Sequence, residues 1–248
     1  MAVKQVYAAK KGVGANPQPT LKAVIFDLDG VVADSHPIHE IAWTTLLVEQ
    51  GLDQATLNLD FLYAGHSRRA ILKHYLGSIG VSELQTLGRR KDELYADAAI
   101  LLKPKPRIPE ILRQLNEDGI VCALATSAGR ARTYETLENF GLTKEFAAIV
   151  TGEEAGTPKP APEIFSLAAR RIGVDAKCCV AVEDSVAGVA AARAARMKCV
   201  GFVPAKWFTE LAQAGADDLI SELPEDATSY FTAVLTAYGE EPAAGARV

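Results

Sequence analysis

Cysteine is scarce in this 248-residue sequence, and its four cysteines form no pattern typical of a metal site or a disulfide framework. Cys122, Cys178, Cys179 and Cys199 all fall in apolar, strand-like stretches, without a CxxC pair and without a histidine at ligand spacing. Zinc sites and disulfide scaffolds depend on such spacings. We therefore expect buried, reduced cysteines in a cytoplasmic protein.

Long apolar runs and an excess of basic residues are absent as well. The longest apolar stretches, such as Cys178 to Val182, are far shorter than the ~20 residues of a membrane helix. Residues 1–20 contain no apolar block with a small-residue cleavage site, which argues against a secretory signal. The formal net charge is −5, so no broad basic surface can collect nucleic-acid phosphates or anionic lipid. We expect a monomer that binds a small molecule, with no membrane or nucleic-acid partner.

The sequence does contain an alternation of strand-like and helical segments. Short apolar, β-rich runs lie at Leu21 to Leu28, Val121 to Ser127, Ala147 to Gly152, Cys178 to Asp184, Lys198 to Val203 and, as a sixth candidate, Asp217 to Leu223. Helical patterns lie between them, at Pro109 to Asp118, Arg130 to Phe140, Pro162 to Ile172 and Val186 to Ala195. This order predicts an α/β fold, a Rossmann-like three-layer core with a parallel sheet between two layers of helices.

The alternation is interrupted once, between the first strand and the helix at Pro109. The predicted helices of this stretch are Pro37 to Gln50, Asp53 to Leu62, Ser67 to Ser78 and Ser82 to Leu101, with Gly51 and Gly80 as stops. We interpret residues 35–107 as an inserted all-helical cap domain, residues 21–34 and 108–235 as the α/β core domain, and residues 1–20 and 236–248 as mobile or frayed tails.

Two linkers are predicted to join the insert to the core. Two prolines interrupt helix formation in Lys103 to Arg107, and Ser35 with His36 forms the other crossing point. Neighbouring linkers would let the insert rock over the sheet as a lid.

The ends of the predicted strands are rich in carboxylates and hydroxyls. In open parallel sheets, ligands bind at the carboxyl ends of the strands. The residues at these ends are Asp27, Asp29, Thr126, Ser127, Glu183 and Asp184. We therefore expect the chemistry of the protein at this edge of the sheet.

The segment FDLDGVVADS, Phe26 to Ser35, places two carboxylates where a strand opens into a glycine turn. An aspartate such as Asp27 can attack phosphorus and form an aspartyl-phosphate, which divides one difficult displacement into two easier ones. A second carboxylate such as Asp29 can protonate the leaving oxygen and then activate the acceptor. The alternative is an acidic turn that caps the following helix.

The stretch DLDGVVADS resembles the first motif of the haloacid dehalogenase superfamily, and matches to the other motifs follow in order up to about Leu223. A Ser or Thr after the next core strand is matched by Thr126 in ALATSAG, and a lysine by Lys159 in GTPKPAPEIF. An acidic pair is matched by Glu183 and Asp184 in AVEDSVAGVAAA. Taken singly, these later motifs are also compatible with a turn, a solvated lysine and a helix cap, and it is their order that favours the resemblance.

The resemblance implies a role for each matched residue. Asp27 is expected to be the nucleophile and Asp29 the general acid and base. Thr126, the backbone N–H of Ser127 and the Lys159 charge are expected to hold the transferring phosphoryl group.

A magnesium ion is the expected cofactor. Asp27, Glu183 and Asp184 concentrate negative charge where an anionic phosphate must bind, and a hard cation such as Mg²⁺ offsets that repulsion. By resemblance, the ligands are the Asp27 carboxylate, the Asp29 main-chain carbonyl and Asp184, with Glu183 bound directly or through water.

The insert resembles the small cap of the branch that contains phosphoglycolate phosphatases and β-phosphoglucomutases. The stretch YAGHSRRAI places Gly65, His66, Ser67 and Arg68 where these enzymes have a substrate-specificity loop. Arg68 could grip a second phosphate or a carboxylate, and the alternative is an arginine that faces solvent at a helix start.

Three further residues of the insert line up with β-phosphoglucomutase. They are His39, Trp43 and Lys91, and in that enzyme the equivalent His and Lys couple cap closure to proton transfer. For Trp43 we favour a place in the core of the insert, and a lone histidine such as His39 is often only a packed or surface residue.

Three functions are compatible with these residues. The leading hypothesis is a Mg-dependent phosphatase that hydrolyses a small phosphorylated metabolite, such as a sugar phosphate, through an aspartyl-phosphate. The second is a hexose phosphomutase, which the DGVVADS segment favours but Gly129 and Arg130 do not, since they depart from the polar residues that follow its second motif. The third is a non-catalytic binding module that kept the fold. Asp29 and the acidic pair argue against a dehalogenase, and Asp29 against a phosphonate hydrolase.

Overall fold

A six-stranded parallel sheet forms the centre of the computed structural model, which describes residues 19–64 and 68–237. The strands are β1 (Ala23–Phe26), β2 (Val121–Ala125), β3 (Ala148–Val150), β4 (Cys179–Glu183), β5 (Lys198–Phe202) and β6 (Asp218–Ile220). Their order in the sheet is β3-β2-β1-β4-β5-β6, so β1 lies at the centre. The predicted α/β fold is confirmed, and it includes the sixth strand.

Ten α-helices lie within the described residues, and seven of them match predicted patterns. The helices are α1 (His36–Glu49), α2 (Arg68–Leu76), α3 (Val81–Ala98), α4 (Ile108–Glu117), α5 (Arg130–Phe140), α6 (Gly152–Ala155), α7 (Glu163–Ile172), α8 (Val186–Ala194), α9 (Phe208–Gln213) and α10 (Ala227–Ala237). The short helices α6 and α9, and α10 near the end, were not predicted.

The sheet divides the main core into two apolar clusters because successive strand side chains point to opposite faces. Val24 and Phe26 of β1 pack in a cluster with residues of α4 and α10. Ala23 and Ile25 pack in the other cluster with residues of α7 and α8. All four are fully buried, which explains why β1 is a continuous apolar run rather than an alternating one.

Helices α1 to α3 lie between β1 and α4 in sequence and form what we term the helical insertion (residues 36–101). It has its own apolar cluster, in which Trp43 packs with Leu46, Ile71, Leu72 and Leu87. This confirms the core position expected for Trp43. The limits of 35–107 for a separate cap domain stay a prediction.

The predicted helix from Asp53 to Leu62 is wrong. The chain forms two short 3₁₀ turns instead, Gln54–Thr56 and Asp60–Ala64. The Asp53 and Asn58 side chains accept hydrogen bonds from the N–H groups of Ala55 and Asp60, at 3.0 and 2.8 Å. Such local bonds compete with those of a helix.

The predicted helix stop at Gly80 is also wrong. Helix α2 ends at Leu76 and is followed by Gly77 with φ 80°, whereas Gly80 precedes α3 with extended backbone. Gly77 therefore supplies the left-handed residue that ends this helix. Gly51, with φ 91°, follows α1 as expected.

The two connections to the helical insertion run side by side. The Asp34 N–H donates to the Lys103 carbonyl at 2.8 Å, and the Lys105 N–H donates to the Val32 carbonyl at 2.9 Å. An ion pair between Lys105 and Asp34, at 2.9 Å, joins the same two segments. The insertion is thus attached to the sheet through one narrow double crossing.

All four cysteines are free thiols, as expected. Cys122, Cys179 and Cys199 are buried, but Cys178 is only half-buried because it lies in a turn before β4 rather than in the strand. Over residues 19–64 and 68–237, no helix is long and apolar enough to cross a membrane. The predicted tails lie outside the described residues up to residue 18 and from residue 238, and so do Gly65, His66 and Ser67.

Candidate active site

The strand ends bring the first and last motifs together. β1 pairs with β2 on one side and with β4 on the other. Asp27 continues β1, since its N–H donates to the Val182 carbonyl of β4 at 3.0 Å. Glu183 ends β4, and Asp184 follows it. The central position of β1 therefore sets Asp27 between the ends of both neighbouring strands.

Lys159 connects these strand ends. It lies between α6 and α7, and its Nζ donates to Asp27 Oδ1 at 2.5 Å, to the Ala125 carbonyl at 3.3 Å and to Glu183 Oε1. The Lys159 side chain is 8% exposed and that of Glu183 is fully buried. The lysine predicted from the third motif thus lies in direct contact with the predicted nucleophile.

Negative charge is in excess around Asp27. Burial raises the pKa of the Asp27 carboxyl well above its ordinary value, Lys159 opposes this, and the charges of Glu183, Asp184 and Asp29 add to it. One lysine therefore faces a group of carboxylates. A bound cation would lower the energy of the ionised site.

Glu183 is held beneath Lys159 by the start of α8. Its Oε2 accepts hydrogen bonds from the N–H groups of Asp184 and Ser185, at 3.1 and 3.3 Å, and from the Ser185 hydroxyl at 3.1 Å. A Cβ atom on Gly188 would lie 1.9 to 2.0 Å from the Glu183 carboxyl atoms. Gly188 thus leaves the space that the Glu183 carboxylate fills.

We expect the Gly188→Ala substitution to lower the free energy of unfolding by about 1–3 kcal/mol, as for an overpacked core site. The added methyl group would overlap a buried carboxylate that cannot move without losing Lys159. The matched control is Gly88→Ala in α3, where the methyl group meets only the flexible end of Arg68. That change should be neutral or stabilise by up to ~1 kcal/mol. Urea unfolding of both variants checks this, and equal stabilities would contradict it.

Asp184 lies against the loop that follows Asp29. Its Oδ2 is 2.8 Å from the His36 Nε2, and a Cβ on Gly30 would lie 2.0 Å from the same oxygen. Gly30 also has a φ of 75°, which favours glycine. The absence of a side chain at Gly30 lets the Asp184 carboxylate approach the backbone next to Asp29.

The potential ligands at this site are oxygen atoms, which a hard divalent cation prefers. The oxygen ligands implied for Mg²⁺ are two carboxylates, of Asp27 and Asp184, and the Asp29 main-chain carbonyl. Among the described residues, no three His, Cys, Asp or Glu side chains form a group that could hold a metal. The implied set does not need a third side chain, and both oxygens of Glu183 already have partners.

Thr126 and Ser127 follow β2 at the same edge of the sheet. Thr126 is buried, and its Oγ1 accepts a hydrogen bond from the Ala128 N–H at 3.0 Å. Ser127 is exposed and lines a cavity of about 280 Å³ together with Lys159. The loop after β2 is therefore close to Lys159, as the predicted phosphate-binding role requires.

Asp29 is paired with Arg132 of α5. Arg132 Nη1 donates to Asp29 Oδ1 at 3.0 Å and Nη2 donates to Oδ2 at 2.5 Å. Burial raises the pKa of the Asp29 carboxyl, but the Arg132 charge and hydrogen bonds outweigh it and hold this pKa far below its ordinary value. Asp29 is therefore a paired carboxylate in this conformation.

Two predicted residues of the helical insertion reach Asp29. His39 Nε2 lies 3.9 Å from Asp29 Oδ1, and Lys91 Nζ lies 2.8 Å from His39 Nδ1. Burial and then the Lys91 charge lower the pKa of His39 to about 3, while burial lowers the pKa of Lys91 to about 8. The imidazole is thus neutral and bridges Lys91 and Asp29.

A second cavity of about 280 Å³ lies between the helical insertion and the strand ends. Asp29 and Asp184 line it from the sheet side, and His39, Lys91 and Arg68 line it from the insertion. Arg68 is exposed and paired with Asp92 at 2.6 Å. His66 and Ser67, predicted beside it, lie outside the described residues.

Sequence reasoning did not find three residues of this site: Arg132, Tyr95 and His36. Arg132 is one charge among several in a helical pattern, and nothing in its spacing indicates contact with Asp29. Tyr95 is 5% exposed, and its hydroxyl accepts a hydrogen bond from Arg132 Nη1 at 3.0 Å. His36 was predicted only as part of a linker, and its contact with Asp184 depends on the fold rather than on a sequence pattern.

Comparisons with known proteins bear on these residues. A family model described as haloacid dehalogenase-like hydrolase matches residues 21–196, which include Asp27, Thr126, Lys159 and Asp184. The β-phosphoglucomutase of Bacillus subtilis is 34% identical over 190 residues, which cover 73% of this chain and 83% of that protein.

Two proteins of Thermotoga maritima are also similar. A phosphorylated carbohydrates phosphatase is 31% identical over 180 residues, covering 71% of this chain and 82% of that protein. The crystal structure of a putative β-phosphoglucomutase superimposes with a TM-score of 0.68 at 29% identity and covers 85% of this chain and 98% of that chain.

Proposed function

The chain belongs to the haloacid dehalogenase-like hydrolases, as its motifs predicted, and from this premise we propose that it is a Mg-dependent phosphatase of small sugar phosphates. The observation that carries the proposal is the contact of Lys159 with Asp27 at the end of the central strand. It is supported by the similarity to a phosphorylated carbohydrates phosphatase.

Asp27 is the proposed nucleophile. Its carboxylate attacks phosphorus, the bond from phosphorus to the sugar oxygen breaks, and an aspartyl-phosphate forms. Lys159 neutralises charge on the phosphoryl group, and the loop of Thr126 and Ser127 provides hydrogen-bond donors at the same edge. Mg²⁺, when bound by Asp27, Asp184 and the Asp29 carbonyl, supplies positive charge that reduces the repulsion between phosphate and carboxylates.

Asp29 is the proposed general acid and base. This role requires a conformation in which the Asp29 carboxyl is released from Arg132 and protonated; it then gives a proton to the departing sugar oxygen, and it later takes a proton from the water that attacks phosphorus and releases Asp27. His39 lies 3.9 Å from the Asp29 carboxyl and contacts Lys91, and both belong to the helical insertion, so the position of that insertion affects the surroundings of Asp29. Arg68 in the cavity wall is the proposed contact to a second phosphate or a carboxylate of the substrate, with His66 and Ser67 as its neighbours in sequence.

We propose that residues 35–107 act as a cap over a core of residues 21–34 and 108–235. Two observations support this division. The helical insertion has its own apolar cluster, and its two connections to the core run side by side at Asp34 and Lys103. A cap attached in this way can open and close as one body.

A hexose phosphomutase is the second candidate. The 34% identity to a β-phosphoglucomutase favours it. Incubation with β-glucose 1-phosphate and a bisphosphate primer distinguishes the two, because only a mutase forms glucose 6-phosphate. Release of inorganic phosphate without formation of glucose 6-phosphate would exclude the mutase and favour the phosphatase.

We expect the purified protein with Mg²⁺ to release phosphate from at least one member of a panel of sugar phosphates. Removal of the metal with EDTA should reduce the rate by about 100-fold or more, because a metal's electrostatic contribution amounts to several kcal/mol. Phosphate release is measured as inorganic phosphate over time, and added Mg²⁺ should restore it.

A separate binding assay guards against an incomplete panel. Beryllium fluoride mimics a phosphoryl group on aspartate, so with Mg²⁺ it should raise the melting temperature of the wild type but not of Asp27→Asn. No release from any substrate and no shift with beryllium fluoride would together refute the phosphatase and favour the non-catalytic module.

A further inference from the structure

A histidine of the helical insertion contacts Asp184, one of the proposed metal ligands. The His36 Nε2 lies 2.8 Å from Asp184 Oδ2, and the two side chains are 29% and 14% exposed. An ionised carboxylate can only accept hydrogen bonds, so Nε2 is the donor in this contact. Because a carboxylate has two oxygens, Asp184 can accept this bond with one oxygen and bind a cation with the other.

The chain around this contact fixes the place of the imidazole. His36 is the first residue of α1, and the buried Ser35 before it accepts a hydrogen bond from the Gly30 N–H at 3.1 Å. A Cβ on Gly30 would lie 2.8 Å from the His36 Nε2 and 2.0 Å from Asp184 Oδ2. The imidazole and the carboxylate therefore meet directly beside the backbone that follows Asp29.

The other proposed metal ligands are fixed in a different way. Asp27 contacts the buried Lys159, and Asp29 offers a main-chain carbonyl, which moves only with the backbone. Asp184 follows the last residue of β4, and its side chain can turn about two bonds into several rotamers. A hydrogen-bond partner limits such rotation, and the loss of a partner behind a metal ligand typically costs about 10–100-fold in metal affinity.

We propose that His36 is a positioning residue that holds the Asp184 carboxylate in the orientation in which it binds the cation. This inference rests on the proposed function, because it requires Asp184 to be a metal ligand. His36 acts on the metal site through its hydrogen bond to Asp184 and not as a ligand, so the ligands remain the oxygen atoms that Mg²⁺ prefers.

The test measures metal affinity in the full-length protein without any substrate. Mn²⁺ is the probe, because it takes the same carboxylate and carbonyl ligands as Mg²⁺ and its free form is measured directly by electron paramagnetic resonance. Competition with Mg²⁺ then gives the affinity for Mg²⁺. We expect His36→Ala to weaken the binding of both ions by about 10–100-fold.

Two amide variants separate the hydrogen bond from other effects of the substitution. The side-chain N–H₂ of His36→Gln can donate from about the place of Nε2, so this variant should keep most of the wild-type affinity. His36→Asn carries the same amide one methylene short of Asp184 and should bind as weakly as His36→Ala. It also provides the test if the alanine variant does not fold, which the melting temperature without metal reveals.

His74→Ala is the matched control, since it removes an exposed histidine from the same insertion. Its ring stacks on Phe61 with the ring centres 3.9 Å apart, and it does not line the cavity at the strand ends. The affinity of this variant for both ions should equal that of the wild type.

Asp184→Asn distinguishes a failure of this inference from a failure of the proposed metal site. If Asp184→Asn binds weakly but His36→Ala and His36→Asn bind as the wild type or tighter, His36 does not position Asp184 and the metal site stands. An equal loss in His36→Ala and His36→Gln would also overturn the inference, because the hydrogen bond would not be the cause. Unchanged affinity in Asp184→Asn means that the proposed metal site is wrong, and the inference falls with it.

Discussion

The Asp27→Asn variant is expected to lose phosphoryl transfer by a factor on the order of 10⁴ or more, as when a nucleophile is removed from other covalent enzymes. An amide cannot form the phosphoryl bond, and the loss should appear in the turnover rate with every substrate that the wild type accepts. The measurement is phosphate release under saturating sugar phosphate with Mg²⁺.

The fold should tolerate this change. Asparagine has nearly the same shape, and the substitution removes one of the carboxylates that repel each other around Lys159. We therefore expect the melting temperature to stay the same or rise. Asp175→Asn is a matched control at the opposite end of β4, where an exposed carboxylate accepts a hydrogen bond from the Lys177 N–H at 2.9 Å, and its activity should stay within about twofold, as is usual for a surface substitution. Equal losses in both variants would argue against Asp27 as the nucleophile.

The Lys159→Met variant should lower the free energy of unfolding by roughly 3–5 kcal/mol, the loss typical of breaking a buried ion pair. Its Nζ is the shared partner of Asp27 and Glu183, and all three side chains are at most 8% exposed. Methionine fills similar space, so the loss reports charges left without a partner rather than a cavity. Urea unfolding in the absence of metal measures it.

A double-mutant cycle tests the cause of this loss. Glu183→Gln removes one of the two stranded carboxylates, so Lys159→Met combined with Glu183→Gln should be more stable than Lys159→Met alone. The coupling between the two sites should lie in the range of 0.5–3 kcal/mol that contacting residues show. Additive losses would mean that the lysine stabilises the protein through other contacts, such as the Ala125 carbonyl.

The sequence was informative about the sheet because each strand lies within a short, mostly apolar run. All six runs became strands, including DLI, the weakest of them. The insertion was less predictable between Asp53 and Leu62, where local side-chain bonds decide between a helix and separate turns. The residue pattern of this stretch favoured a helix. Only the structure shows that the side chains of Asp53 and Asn58 bind backbone N–H groups instead.

The candidate site could be predicted where it is built from strand ends. Parallel strands bring their carboxyl ends to one edge, so Asp27, Glu183 and Asp184 were expected together. The contact of Lys159 with Asp27 followed from the resemblance and not from the spacing. Arg132 could not be predicted, because its reach to Asp29 depends on the tilt of α5 and on a long side chain with many rotamers.

The place of β1 in the sheet has a consequence for synthesis. Ala23 pairs with Val121 on one side and with Cys179 on the other, so one edge of β1 stays open until β4 has left the ribosome. An apolar strand with an open edge is prone to pair with other chains, and contacts this distant in sequence form slowly. Nascent chains that end before Asp184 should therefore be inactive and depend on chaperones, and activity should arise only late in translation.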